Sequence, residues 1–512
     1  MKDSGLQVFC IQSIRIICFG IIAVLTILSI LFTSVEEIVT YTTEDGYELS
    51  KHLVKYYDDR TRYVLLFLLL LIIICYLGNS KLNISDKGKK YFLIVLGIIY
   101  VSTSFAYIIV TKQYQLSDAE EIQATMLELL EGNFTSYAEG GYLFKYPYQV
   151  GYLIYELFFY KILKDNAFIV MQLINVLELT LTFYVLGKII SILWKEVKPF
   201  IYCLFSLICS VFIPMSITTS VLYGNIPSLM FSVLACYFII RFIDNNRWLY
   251  AVVAAFSISI AIQSKPNAKV FLIAIIIYVL VSSINKSKVI LWAVPIFILV
   301  NFIIGLSVKG FMFNWTGMEL PEGLPPTGCI VMGINEGPIA PGCFNGRDPE
   351  LAEENGYDYE KTKEAGLNEI RDRIDYLVHN PKYAVGFYGR KISAQWNDPL
   401  YQSFFILEWF VSEDDTLANY WLRGSGRTFI NEFLNILQSF ILVGCLFYLG
   451  NYKKKYKLSE MLLLLVFLGG FVFHLFWESK SAYALFFWII LFPYTCIGYG
   501  MVFDALDKRL NS

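Results

Sequence analysis

Apolar runs of about 20 residues recur along the chain, separated by polar connections that carry much of its Lys and Arg. Runs of this length cross a bilayer as helices. Twelve are read, at 8–32, 63–77, 91–110, 166–193, 199–217, 226–243, 248–263, 270–285, 288–307, 430–449, 459–476 and 484–503. The first is too long for the core of a cleavable signal, and no small-residue cleavage site follows it. A further apolar stretch, 147–163 (PYQVGYLIYELFFYKIL), opens with a proline and contains Glu156 and four tyrosines. It is read as a helix lying along the outer membrane surface. In 359–378, Leu367, Ile370, Ile374 and Leu377 recur at three- and four-residue spacing, which predicts an amphipathic helix.

Composition agrees with the pattern. The 512 residues are 56% hydrophobic and only 16% charged, with mean hydropathy +0.56, whereas soluble chains carry roughly 25% charged residues. The expected class is an all-α polytopic membrane protein. A net charge of −2 excludes a nucleic-acid binder that works by bulk phosphate attraction. The basic connections at 78–90, 194–198 and 450–458, the pairs Arg241/Arg247 and Lys286/Lys288, and the tail Lys508/Arg509 all fall on one side of a twelve-span arrangement. By the positive-inside rule that side is cytoplasmic, together with both termini of a plasma-membrane protein. The chain is divided into an N-terminal hairpin of spans (1–90), a core (91–310) with an outer loop at 111–165, an outer domain of mixed structure (311–429) and C-terminal spans (430–512). A second outer loop is expected at 33–62, and the 311–429 segment holds 18 Asp/Glu against 10 Lys/Arg.

Eight of the ten cysteines lie in or beside apolar runs, where Cys behaves as a small hydrophobe. Cys329 and Cys343 lie outside them in one Gly/Pro-rich loop, either as a disulfide favoured by an oxidising exterior or as two free thiols. No cysteine spacing matches a zinc site and no Gly-rich phosphate loop is present. The residues call for no cofactor or metal, although a divalent cation is compatible with them.

Charges at the outer membrane boundary carry the chemistry. Ser117-Asp118-Ala119-Glu120-Glu121 opens a helix, with Ser117 as the expected N-cap and Asp118 and Glu121 on one face. Between the last two spans lies Trp477-Glu478-Ser479-Lys480-Ser481-Ala482-Tyr483, where ionisable groups at membrane depth point to function rather than to a simple turn. Lys265 and Lys269 sit at the same level, as do Arg390-Lys391 ahead of Trp396-Asn397-Asp398-Pro399. Cations at headgroup depth suit a lipid phosphate, and a carboxylate beside them suits a general base. The combination describes group transfer from a lipid-phosphate carrier to a hydroxyl outside the cytoplasm. A structural reading is available for each piece: a capped surface helix at 118, and an interfacial anchor at 477–483.

The order Ser117-Asp118, Tyr146-Pro147-Tyr148-Gln149-Val150-Gly151, Tyr223-Gly224-Asn225, Met332-Gly333-Ile334, Gly342-Cys343-Phe344-Asn345, Trp396-Asn397-Asp398-Pro399 and Trp477-Glu478-Ser479-Lys480 resembles the polytopic glycosyltransferases of the C superfamily. Within that superfamily it is similar to bacterial members of the protein O-mannosyltransferase and aminoarabinose-transferase group, of the family 39 type. The resemblance implies inverting transfer of a sugar from a polyprenyl-phosphate donor to a glycan, lipid or protein acceptor at the outer membrane face. It implies Asp118 as base with Glu121 or Glu120 as fallback, and donor phosphate held by Lys480, Lys265, Lys269, Arg390 or Lys391. The substrate cleft would be lined by Tyr146, Gln149, Trp396, Asp398, Glu478 and Tyr483. The chain departs from better-known members in having two spans before the one that leads to Asp118, and Asn225 where an acid is expected. Competing readings are a polysaccharide polymerase or ligase, and a lipid or glycolipid flippase that would use Glu178, His474 or Arg15.

Overall fold

A computed structural model describes residues 5–42, 48–58, 61–408 and 415–510. The protein is 79% helical, an all-α polytopic membrane protein. Among the described residues nine helices are long and apolar enough to cross a membrane, or ten if Ser481–Ile489 and Phe492–Leu510, bent by 49°, form one span. This count is lower than the twelve expected. The remaining two segments are the shorter apolar helices Pro199–Val211 and Trp248–Ser264, of 13 and 17 residues, which are too short to satisfy a length criterion by themselves. The helix Val150–Leu163 has 14 residues, a rise of about 21 Å, against a hydrocarbon core of about 30 Å. A turn at Lys164, with φ 52°, separates it from Ala167–Leu193. One of its faces is inside the protein, where Glu156 is completely buried.

The expected loop at 33–62 is instead an antiparallel hairpin, β1 (Phe32–Thr42) against β2 (Glu48–Asp58), with Phe32 opposite Asp58. Thr, Val, Ile and Tyr dominate β1 and suit a pleated ribbon. The hairpin leans on the segment 311–429: Val54 N donates to Ile339 O at 3.0 Å, the Ser34 and Ser393 hydroxyls are 2.6 Å apart, and Asn397 Nδ2 donates to Phe32 O at 2.7 Å. That segment, expected to be mixed, has only helices as its regular elements among the described residues (Thr327–Ile334, Arg347–Glu354, Tyr359–His379, Pro381–Trp396, Ser403–Glu408 and Thr416–Leu422), joined by irregular stretches such as 317–326 and 335–346. Residues 409–414 lie outside the described residues. The amphipathic helix predicted at 359–378 is present as Tyr359–His379.

The N-terminal helix Gly5–Leu31 packs on Ser425–Leu449 and Leu458–Phe476, so the two ends of the chain meet. The basic connections also gather. Lys198 pairs with Asp504 at 2.7 Å, Ser80 donates to Asp507 at 2.6 Å, and Arg15 Nε donates to Leu449 O at 2.8 Å.

Candidate active site

Asp118 is positioned by a buried amide network. Gln115 Nε2 donates to Ser220 O at 3.0 Å, and its Oε1 accepts from Leu222 N at 2.6 Å. Ser220 donates to Gln113 Oε1 at 2.7 Å, Gln172 Nε2 bridges Gln113 O and Ser220 O, and Asn175 donates to Thr219 O at 2.9 Å. These bonds lock 113–117 against 219–222. As a result the Tyr223 phenol donates to Asp118 Oδ2 at 2.7 Å and itself accepts from Gln149 Nε2 at 2.8 Å. Ser117 does not cap the helix Asp118–Leu130 as expected: its side chain makes no cap bond and its backbone sits at φ 54°, ψ −134°. That is a glycine-favouring conformation costing about 1–3 kcal/mol, held one residue before Asp118.

Lys265 stands over the same phenol, its ammonium 3.0 Å from the Tyr223 ring centroid. Two glycines permit this approach. A Cβ on Gly151 would collide with Gln263 O, and one on Gly224, at φ +74°, with Ser264 O. Burial lowers the Lys265 pKa to about 7, with Lys480 adding to the shift and Asp118 and Glu478 opposing it. Those named neighbours show that the 477–483 turn reaches the same site. Glu478 and Lys480 are 3.9 Å apart. Burial raises the Glu478 pKa, Lys480 opposes that shift, and Asp118 reinforces it.

The expected cleft residues divide into two groups. Tyr146, Gln149, Glu478 and Tyr483 gather around Asp118. Trp396, Asp398 and Lys391 instead build the floor. Trp396 is enclosed by Phe467, Phe471, His474 and Phe487. Asp398 accepts from Ser481 Oγ at 2.6 Å and from Leu400 N at 2.9 Å, and burial raises its pKa to about 6. The Lys391 ammonium donates to Gly333 O, to Trp477 O at 2.9 Å and to Leu475 O at 3.2 Å. With Ser479 N donating to Gly342 O at 2.7 Å, these bonds clamp the turn that carries Glu478 and Lys480. Arg390 turns away to Glu336, at 2.7 Å, while Lys269 and Glu121 are exposed. Lys391 and Arg390 are therefore engaged elsewhere than at a donor phosphate.

The expected bridge between Cys329 and Cys343 is absent, and both thiols are free. Cys343 packs with Ala340 and Ala394, whereas Cys329 faces Asp348 and Glu478. The sequence reading missed three residues. Tyr223 entered only within the Tyr223-Gly224-Asn225 motif, with no role of its own. Asp348, buried with Oδ1 lacking a partner, has its pKa raised to about 7 by burial and Glu478, with Lys145 opposing. Lys145 is the third, and no local signal marks either member of that pair. Among the described residues no group of three or more His, Cys, Asp or Glu is placed to hold a metal ion.

The helices of this membrane protein bring acids and lysines together around Asp118 and Tyr223. Residues 147–305 match the protein family described as dolichyl-phosphate-mannose-protein mannosyltransferase. The match supports a membrane glycosyltransferase of the C-superfamily type. It covers about a third of the chain, and includes Gln149, Tyr223 and Lys265 but not Asp118, Glu478 or Lys480. No similar sequence was found among the curated proteins.

Proposed function

We propose that this chain transfers a sugar from a polyprenyl-phosphate carrier to an acceptor hydroxyl, with inversion, and that Asp118 is the general base. The observation that carries this reading is the Asp118–Tyr223–Lys265 stack, onto which the distant Glu478/Lys480 turn closes. The tyrosine occupies Oδ2 of Asp118 and leaves Oδ1 to accept the acceptor's proton. The acceptor oxygen attacks the anomeric carbon and the bond from that carbon to the phosphate oxygen breaks. The electron pair leaves with the polyprenyl phosphate, whose charge is met by Lys480 and Lys265. Tyr146, Tyr148 and Tyr483, near Asp118, would flank the sugar. Asp348 and Lys145, beside Glu478, would bound the acceptor side. By the positive-inside rule, the basic connections favour a reading with this end outside the cytoplasm and both termini inside it.

A flippase reading gains no such support. His474 is enclosed by Trp396, Phe473, Tyr483 and Phe487, and Arg15 is spent on Leu449 O and Gln12.

The test is release or transfer of sugar from synthetic polyprenyl-phosphate hexoses by the purified full chain, beside Asp118→Asn. Turnover by the wild type that falls by about 10²–10⁴ in the variant supports both class and base. Turnover unchanged in Asp118→Asn moves the base elsewhere. Failure of the wild type to bind any lipid-linked donor overturns the class.

A further inference from the structure

At the end of the molecule opposite Asp118, where the basic connections gather, a cavity of about 390 Å³ opens between the helices Asp86–Thr111, Ala167–Leu193 and Pro199–Val211. We infer that it binds one anionic diacyl phospholipid, with the headgroup phosphate between Lys89 and Lys188 and an acyl chain in the groove below.

Charge and polarity are sorted along its length. Lys89 lies one turn into the first of these helices, and Lys188 lies near the end of the second. Lys89 stands 4.9 Å from the Tyr202 ring centroid and Lys188 stands 5.0 Å from that of Tyr184. Both aromatic rings line the same cavity. Lys87 and Lys90 flank this rim, and Asp86 is the acid in the same turn. Asp86 pairs with Lys89 at 2.7 Å but is 87% exposed. Such a surface pair contributes little and exchanges readily for a phosphate. Below the rim Leu93, Leu96, Phe183 and Phe205 make the wall mostly apolar, and the Thr180 and Ser210 hydroxyls that also line it are spent on carbonyls of their own helices. It is closed by the buried Tyr100, which accepts a hydrogen bond from Ser216 at 3.2 Å. From Lys89 to Tyr100 the helix rises about 16 Å, close to half of a hydrocarbon core of about 30 Å. The groove therefore has the depth of one leaflet, with its cations at headgroup level, as expected where basic pockets between membrane helices hold anionic lipid.

The larger cavity, about 680 Å³ beneath the β-hairpin, lacks this sorting. Its Arg427 is already bound to Glu408, Leu422 O and Glu36 O, and Arg423 to Asn419 and Glu408 O.

The experiment is native mass spectrometry of the full chain released from vesicles of equal phosphatidylglycerol and phosphatidylcholine. The wild type is expected to retain one phosphatidylglycerol in preference to phosphatidylcholine. Lys89→Gln with Lys188→Gln should weaken retention by roughly tenfold or more. Lys453→Gln with Lys455→Gln, which removes equal charge from another basic connection away from the cavity lining, should leave it unchanged. A Cβ at Gly97 meets open space in the groove, so Gly97→Phe should fill the acyl path and abolish retention while both lysines remain. Equal retention of the two lipids overturns the inference, as does equal loss in both lysine pairs or full retention in Gly97→Phe. A thermal melt of each variant separates misfolding from lost binding.

Discussion

Asp118 and Tyr223 lie 105 positions apart in the chain, yet the phenol of one donates to the carboxylate of the other at 2.7 Å. The bond fixes one oxygen of the proposed base, and the ring that supplies it also seats Lys265. Tyr223→Phe keeps the ring under Lys265 and removes only the donor. A hydrogen bond to a charged group contributes about 1.5–3 kcal/mol, so turnover should fall roughly ten- to hundredfold while donor KM changes little. Steady-state kinetics on a polyprenyl-phosphate hexose would show this. A change confined to KM would assign Tyr223 to binding instead.

Stability should pass through a shallow minimum near pH 7. Lys265 and Lys391 have pKa values lowered by burial to about 7, from 10.5. Between those values the unfolded chain holds protons that the folded protein does not, so stability rises with pH above 7. Asp348 and Asp398 have theirs raised to about 7 and about 6, from 3.8. There the folded protein holds the extra protons, and stability falls as pH rises toward 7. Thermal unfolding from pH 5 to 9 checks both limbs. Lys265→Met should flatten the alkaline limb, and Asp348→Asn the acid one.

Lys391→Met should destabilise the protein by about 3 kcal/mol, because three buried carbonyls lose their donor at once. The same clamp sets the turn bearing Glu478 and Lys480, so turnover should fall together with the melting temperature. Gly342→Ala attacks the clamp from the other side, since its Cβ would press on the Lys391 Cδ and Cε atoms. A melting temperature unchanged in both variants would contradict the clamp.

Gly224→Ala should be more damaging than a surface glycine change. The residue sits at φ +74°, and a Cβ there would strike Ser264 O. The segment bearing Lys265 must then withdraw from Tyr223. Loss of donor binding with the helices intact by circular dichroism is the expected outcome.

Peptide mapping under non-reducing conditions should find Cys329 and Cys343 as separate thiols. A linked peptide pair would overturn that placement.

The membrane architecture was legible because apolar runs and basic connections are local signals. The turn at 477–483 stood out for the same reason, since ionisable residues wedged between apolar runs are costly. What a polar side chain spends its hydrogen bonds on is decided by packing, and there the sequence misled. Lys391 read like a donor-phosphate ligand and Asp398 like a cleft residue, but Lys391 is spent on backbone carbonyls and Asp398 on the Ser481 hydroxyl and the Leu400 and Gln402 amides. Ser117 is a good capping residue by type, and the chain path around the Gln113/Gln115 network turns it out of the cap. Tyr223 and Asp348 acquire meaning only from partners far away in sequence. The first strand of the hairpin is rich in Thr, Val, Ile and Tyr, but the adjacent Glu36 and Glu37 break the alternation that would have marked it as a strand.

The helix Gly5–Leu31 leaves the ribosome long before the helices that complete it. Arg15, Cys18 and Ser29 find their partners at Leu449, Leu464 and Ser439, which are 434, 446 and 410 positions later. At about 5–20 residues per second, those groups wait on the order of a minute for the helices that satisfy them. During that interval Arg15 and Ser29 have only partners within their own helix, Gln12 and Thr26 O. A chain stopped before Ser425 would thus carry a built-in mark of incompleteness for membrane quality control to read.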